Sequence, residues 1–361
     1  MQRRALLAAV LAAPCARTMA APLLPLPLQR PLQFPRDFGS HPDHRTEWWY
    51  ITGHAGVPQA GGGMRSFGFQ ITFFRSRVDA TQTLRSAFAA KQLIFAHAAV
   101  TDLKGGRLLH DQRIARAGMG VASASEQDTD VRLRDWRLHR EAGGAYAASI
   151  AANDFSLDLR FTPTQPVLLQ GEAGLSRKGA GPNEASYYYS EPQLKVQGHI
   201  GLAASRFEFN DGRAWLDHEW SETIMPREAV GWDWIGMNLA DGAALTAFRL
   251  RDREGRSLWA GGSWRSRSGE LRVFAPGELR FEAGRRWKSP ATQADYPVEW
   301  TVATPMGRFS VKALLDNQEL DSRGSTGTVY WEGLSDLLDE RGAVVGRGYL
   351  EMTGYAGALR L

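Results

Sequence analysis

Gly212-Arg213-Ala214-Trp215-Leu216-Asp217-His218-Glu219-Trp220-Ser221 places two carboxylates, one imidazole and two indoles in one short run near the middle of a 361-residue chain. In an extended strand, successive side chains point to opposite faces. Asp217 and Glu219 then share one face, and Leu216, His218 and Trp220 share the other. Charged groups set side by side like this must meet water, each other or a cavity, because an unpaired buried charge is too costly to keep. The reading of the rest of the chain turns on which of these applies.

Short strand-like segments flank this run on both sides. Glu47-Trp48-Trp49-Tyr50-Ile51-Thr52-Gly53 and Ser66 to Arg75 lead, followed by Leu93 to Leu103, Arg107 to Ala117, Val131 to Leu138, Ala145 to Ala151, Ser156 to Phe161 and Gln193 to Ile200. Turn residues separate them at the spacing of an all-β sandwich or barrel. The best helical exception is a short piece near Phe88-Ala89-Ala90-Lys91. Downstream, Gly231 to Leu239, an Asp241-Gly242 turn and Ala243 to Arg251 read as a hairpin. Thr72, Phe74, Arg75 and Arg77 recur in the same spacing as Thr246, Phe248, Arg249 and Arg251, and each set follows a Trp-rich strand. The pattern predicts two related β-domains in tandem, an N-terminal one over 41–218 and a C-terminal one over 219–361, after an extended Pro- and Leu-rich lead-in over 22–40.

Composition bounds the function. With 43% apolar and 23% charged residues, the chain is globular in character, and no apolar run reaches the roughly 18–20 residues of a membrane span. Arg3-Arg4, the apolar run Ala5 to Ala13 and small residues at Ala20-Ala21 predict a signal peptide over 1–21 and a periplasmic or secreted product. The arginine pair resembles a twin-arginine signal, and both the Tat and the Sec route stay open. Cys15 is the single cysteine and lies inside this segment, so cleavage leaves none. Removing Arg3, Arg4 and Arg17 also takes the formal charge from +4 to about +1. Arginines scattered among acids, with no basic stripe, exclude nucleic acid as a partner. A cysteine nucleophile, a Gly-x-Ser-x-Gly elbow, a His-Glu-x-x-His helix and a phosphate loop are all missing from the sequence.

Seven motifs in order carry a resemblance to the carotenoid 1,2-hydratase/AttH-like family of lipocalin-like proteins. They are Glu47 to Gly53, Phe95-Ala96-His97, Tyr187-Tyr188-Tyr189-Ser190, Gly212 to Trp220, Gly231-Trp232-Asp233-Trp234, Tyr330-Trp331-Glu332-Gly333 and Gly348 to Tyr355. The resemblance implies two tandem lipocalin-like antiparallel β-barrels, frequent export, and a site for an apolar isoprenoid or lipid ligand near the domain junction. It further implies either water addition to a C=C bond without a cofactor, or a carrier role beside an inner-membrane ABC transporter. Other relatives are described as secreted hydrolases. By position, His218 and Trp220 correspond to residues used by the hydratases, and the accompanying aspartate is Asp217 or Asp233.

Such chemistry needs a carboxylic acid kept protonated by an apolar cavity and aromatic faces for the carbocation, worth roughly 2 kcal/mol when desolvated. It also needs a polar group that holds the captured water. Asp217, His218, Trp220 and Asp233 are the candidate catalytic residues. Glu219, Trp232, Trp234, Trp49, Gln70 and His97 are the candidate ligand contacts. A buried ion-pair network that pins the domain junction is the competing reading of the same cluster. Glu47 can instead meet an arginine at a barrel base, His97 can be a core histidine, and the tyrosine run can form an aromatic rim. His41 and His44 read as part of a solvated loop rather than metal ligands, and no metal is expected.

N-terminal sequencing of the exported protein is expected to begin at Ala21 or Pro22, with no thiol titratable. An intact Met1 in that fraction overturns the signal reading.

Overall fold

The structure is a computed structural model that describes residues 30–359 apart from positions 60 and 224. The signal-peptide reading of 1–21 and the start of the 22–40 lead-in lie outside the described residues. Two antiparallel sheets follow one another along the chain.

The first begins with β1 (Thr46–Pro58), β2 (Met64–Arg77), β3 (Gln92–Asp102) and β4 (Arg107–Arg116). Shorter strands β5 (Ala122–Ala124), β6 (Asp130–Leu133), β7 (Trp136–Arg140), β8 (Tyr146–Ala151) and β9 (Phe155–Thr162) come next. Two short strands, β10 (Leu168–Leu169) and β11 (Leu175–Arg177), precede the long pair β12 (Ala185–Leu202) and β13 (Ser205–Ser221). Their order is β4-β3-β2-β1-β13-β12-β9-β8-β7-β6-β5, with β10 and β11 also on β12. β3 and β4 come round against β6, so the sheet nearly closes on a core that includes Trp49, Phe69, Ile71, Phe73, Trp136 and Trp220.

The second sheet opens with β14 (Gly231–Leu239), β15 (Ala244–Arg251), β16 (Ser257–Arg265) and β17 (Leu271–Phe274). It continues through β18 (Arg280–Ala283), β19 (Arg286–Lys288), β20 (Asp295–Pro297), β21 (Glu299–Thr304), β22 (Gly307–Ala313) and β23 (Glu319–Asp321). β24 (Val329–Leu338) and β25 (Val344–Met352) complete it, in the order β17-β16-β15-β14-β25-β24-β22-β21-β18. β19 and β20 pair apart, as a two-stranded sheet. This sheet wraps its own core around Ile235, Met237, Trp300, Val311 and Trp331.

The repeat read in the sequence occupies equivalent places. β2 and β15 each pair with a Trp-bearing strand, β1 or β14, whose other neighbour is β13 or β25. Glu47 lies opposite Arg75 and Asp233 opposite Arg249, and each arginine Nε donates to its carboxylate at 2.8 Å. The same ion pair therefore sits inside each barrel. The changeover between sheets falls between Ser221 and Gly231, so Glu219 and Trp220 belong to the last strand of the first sheet.

Two local expectations differ from the structure. Residues 86–91 form turns rather than a helix, with Phe88 exposed and no apolar face for a helix to bury. The Val131–Leu138 stretch is two strands, broken by a hairpin in which Arg134 takes φ 57°.

The barrels pack through their outer faces. Tyr50, Trp215, Trp234, Phe248, Leu334 and Tyr349 form a cluster between them. Gly68 permits the approach, since a Cβ there would meet the Tyr349 hydroxyl at 2.6 Å and Leu334 Cβ at 3.1 Å. Hydrogen bonds stitch the seam: Gln193 Nε2 donates to the carbonyls of Leu239 and Ala243 at 2.9 and 2.8 Å, and Asn238 Nδ2 donates to that of Ala214 at 3.0 Å.

Arg75→Met leaves the buried Glu47 carboxylate with Ser40, His41 and His218 but no arginine or lysine among the described residues, and a buried pair that loses one partner costs about 3–5 kcal/mol. Asp233 keeps Arg251 and the Tyr355 hydroxyl when Arg249 is removed. Chemical denaturation is therefore expected to show a larger loss for Arg75→Met than for Arg249→Met. Equal losses would contradict this account.

Candidate functional site

A cavity of about 640 Å³ lies between the two barrels. Alternate residues of the central strands line it: Trp48 and Tyr50 of β1, Gln70, Thr72 and Phe74 of β2, Phe95 and His97 of β3, and Asp217 and Glu219 of β13. The second barrel supplies Trp232 and Trp234 of β14, Phe248 and Leu250 of β15, Tyr330 and Glu332 of β24, and Glu351 of β25. The wall is mostly apolar and strongly aromatic, as ligand cavities of this size tend to be. Trp234 lies along its own strand over Gly236, where a Cβ would meet the indole at 2.3 Å.

Asp217 is 4% exposed and, among the described residues, touches no arginine or lysine. Oδ1 accepts from Trp215 Nε1 at 2.7 Å and from Ser190 Oγ at 2.6 Å, and Oδ2 accepts from the Tyr188 hydroxyl at 2.8 Å. Tyr188 in turn accepts from Trp234 Nε1 at 3.3 Å, and Ser190 from Gln170 Nε2 at 2.8 Å. Burial pushes the carboxyl up to about 7, against the opposing pull of three neutral donors and with help from the charge of Glu219. Oδ1 accepts two hydrogen bonds and Oδ2 only one, so Oδ2 is the oxygen with a position open for the proton. Glu219 differs: Lys178 Nζ lies 2.9 Å from it, and Ser186 donates to it.

The alternation of the strand separates the remaining candidates. His218 and Trp220 point into the first barrel and are fully buried there, with Trp49. His218 Nε2 lies 2.9 Å from Glu47 Oε1 and Nδ1 lies 3.1 Å from the Tyr189 hydroxyl, while the ring stacks on Trp49 at 4.6 Å. Trp220 stacks on His41 at 3.7 Å. Burial holds His218 down to about 4, so the ring is neutral at pH 7. Asp233 faces the interior of the second barrel, bound by Arg249, Arg251 and Tyr355. Gln70, His97, Glu219, Trp232, Trp234 and Asp217 meet at one cavity, and His218, Trp220, Trp49 and Asp233 do not reach it. Tyr188 faces the cavity from the tyrosine run, with Tyr187 and Tyr189 in the first core.

His41 is buried, contrary to the solvated loop expected for it, because Asp37 and Glu47 clasp its ring at 3.0 and 2.7 Å. Among the described residues, His41, Glu47 and His218 are the group whose ligand atoms lie close enough to hold a metal ion, within 4.8 Å of one another. Glu47 Oε1 already faces a nitrogen of each ring, and Arg75 and Ser40 donate to Oε2. Hydrogen bonding accounts for the cluster without an ion. His97 is likewise satisfied, by the Tyr330 and Ser325 hydroxyls at 2.8 Å each.

Sequence reasoning assigns no role in the site to Tyr50, Glu332 or Glu351, which the fold brings to the cavity. The available signal was a carboxylate inside each of two aromatic and glycine-rich strands, Trp331-Glu332-Gly333 and Tyr349-Leu350-Glu351.

A model of the AttH-like family matches residues 25–355. The chain is 46% identical to an AttH from Nitrosomonas europaea of known structure, covering 93% of this chain and all of that one, with a TM-score of 0.83. Kievitone hydratase from Nectria haematococca is 14% identical over 91% of this chain and 94% of its own, with a TM-score of 0.69. CghA, solved with Sch210972, is 12% identical over 94% and 97%, with a TM-score of 0.59. The last two share the fold. No curated protein matches the chain. Among the described residues, no helix is long and apolar enough to cross a membrane.

A carboxyl whose folded value is raised stabilises the protein below its unfolded value and loses that contribution as pH rises through the folded one. Between pH 4 and pH 8, wild type is therefore expected to lose on the order of 4 kcal/mol relative to Asp217→Asn, from the rise to about 7. Parallel stability profiles for the two proteins would show that Asp217 is ionised at little cost.

Proposed function

The chain belongs to the AttH-like family, and from that premise we propose that it holds an apolar ligand of isoprenoid or lipid type between its barrels and adds water to a C=C bond of it. Asp217 is the proton donor. The observation that carries this reading is a buried carboxyl with neutral hydrogen-bond partners and no cation, on the wall of an aromatic cavity. An ion pair there would hold the proton off. Kievitone hydratase is a hydratase by name with the same fold, and the fold likeness is compatible with this chemistry.

In the proposed step, the Asp217 proton passes to one alkene carbon as the π electrons form the new C–H bond. The other carbon becomes a tertiary cation, faced by Trp48, Trp232, Trp234, Phe74 and Phe248. Water adds to it and gives up a proton. The buried His218, Trp220 and Asp233 support the barrels from inside, so His218→Ala acts here through stability. The protein works after export, in the periplasm or outside the cell, as the Arg3-Arg4 and Ala5 to Ala13 pattern supports.

Purified protein incubated with lycopene, squalene or geranylgeraniol in ¹⁸O-labelled water is expected to yield a labelled alcohol from at least one. Asp217→Asn should lower that rate about 100-fold or more, the scale of a lost general acid, with ligand binding retained. Binding without turnover, equal in both proteins, would leave a carrier, for which an inner-membrane ABC transporter is the partner to seek.

A further inference from the structure

The second barrel brings two carboxyls of its own to the cavity. Glu332 on β24 and Glu351 on β25 are direct cross-strand partners, and both line the wall. Like charges placed opposite one another in a sheet destabilise it. Neither carboxyl has a lysine or arginine partner among the described residues. Arg249 and Arg251 turn to Asp233 instead, and Arg347 binds Asp336.

The duplicated architecture shows that this arrangement departs from its own repeat. Trp48 and Trp234 are equivalent, and their partners on the next strand are Glu219 and Glu351. One strand further on, Glu219 faces Tyr188 and Glu351 faces Glu332. The first barrel thus gives its glutamate a tyrosine neighbour and Lys178. The second gives the equivalent glutamate another carboxyl and no cation.

The neutral groups that reach the pair are Tyr50 at Glu332 and Trp232 at Glu351. Glu332 is 2% exposed, and its Oε1 has no hydrogen bond. The Tyr50 hydroxyl reaches Glu332 from the first barrel, without a well-formed hydrogen bond to any other group among the described residues. Buried polar atoms without partners, on a cavity wall, are where a water or a ligand hydroxyl binds.

We propose that Glu332 and Glu351 form a carboxyl pair that shares one proton, holds the water to be added, and takes up the proton this water releases. The inference rests on the Asp217 reading. As water's oxygen bonds to the cationic carbon, its O–H bond breaks and the proton goes to the ionised member of the pair. Alkene and water have then become alcohol, Asp217 is a carboxylate, and the pair holds two protons. One of them returns to Asp217, past the Tyr50 hydroxyl that lies among all three carboxyls. Burial drives Glu332 well above the ordinary carboxyl range, and the charge of Glu351 adds to it. Burial raises Glu351 as well, opposed by Trp232 and reinforced by Asp217 and Glu219. The titratable groups facing the pair are Tyr50 from β1, Asp217 and Glu219 from β13, and Tyr330 and Tyr349 beside Glu332.

Infrared spectroscopy of the full protein at pH 7.5, without ligand, tests the shared proton. A protonated-carboxyl band should be present in wild type and in Asp217→Asn, and reduced in Glu332→Gln/Glu351→Gln. No such difference overturns the pair, whatever Asp217 does. Glutamine keeps the shape of glutamate and removes the repulsion, so Glu332→Gln should melt at or above the wild-type temperature at pH 9. In the labelled-water assay with the same three isoprenoids, Glu332→Gln should lower kcat about 100-fold with binding unchanged. Full activity of Glu332→Gln together with a dead Asp217→Asn sinks the pair and spares the acid. Wild type that turns over none of the three sinks the catalytic role of both.

Discussion

A β-strand has only two faces, and residues 215–220 use both of them for buried polar groups. His218 and Trp220 go into the first barrel, against Glu47, Tyr189 and His41. Asp217 and Glu219 go outward, and the second barrel covers them. Because the period is two, neither set can be moved without moving the other. The interior network, anchored by Glu47 and Arg75, holds the strand that carries Asp217.

The same division appears twice because the architecture appears twice. Each barrel keeps a carboxylate–arginine pair inside, at Glu47–Arg75 and Asp233–Arg249. Such pairs are weak sources of net stability but severe when broken. The outward faces carry more of the difference between the repeats. One holds a glutamate paired with lysine beside a tyrosine, and the other holds two glutamates. These outward faces form the wall of the cavity where the barrels pack together.

The electrostatics of that wall follow from what is left out. Trp215, Ser190 and Tyr188 are neutral donors, and together they offset only part of the cost of burying Asp217 as an anion. A single arginine would reverse the balance. Of the two aspartates that the sequence leaves open as the acid, the structure surrounds one with tyrosine, serine and tryptophan and the other with two guanidinium groups. The aromatic rings do two things at once, closing the seam between barrels and lining the space within it.

The sequence by itself determined the all-β class, the tandem repeat, the strand that carries the Asp-His-Glu-Trp run, and which of its residues share a face. These depend on period-two alternation, turn residues and local spacing, all of which are written along the chain. It also showed that Glu47 could meet an arginine. It did not show that Asp217 and Asp233 face different spaces, that His41 is buried, or that Tyr50, Glu332 and Glu351 join Asp217 from segments far apart in the chain. Only the tertiary structure decided those points. A side chain's face is a property of its strand, whereas what lies opposite that face depends on how the two barrels dock, and the docking brings together residues whose separation no local pattern records.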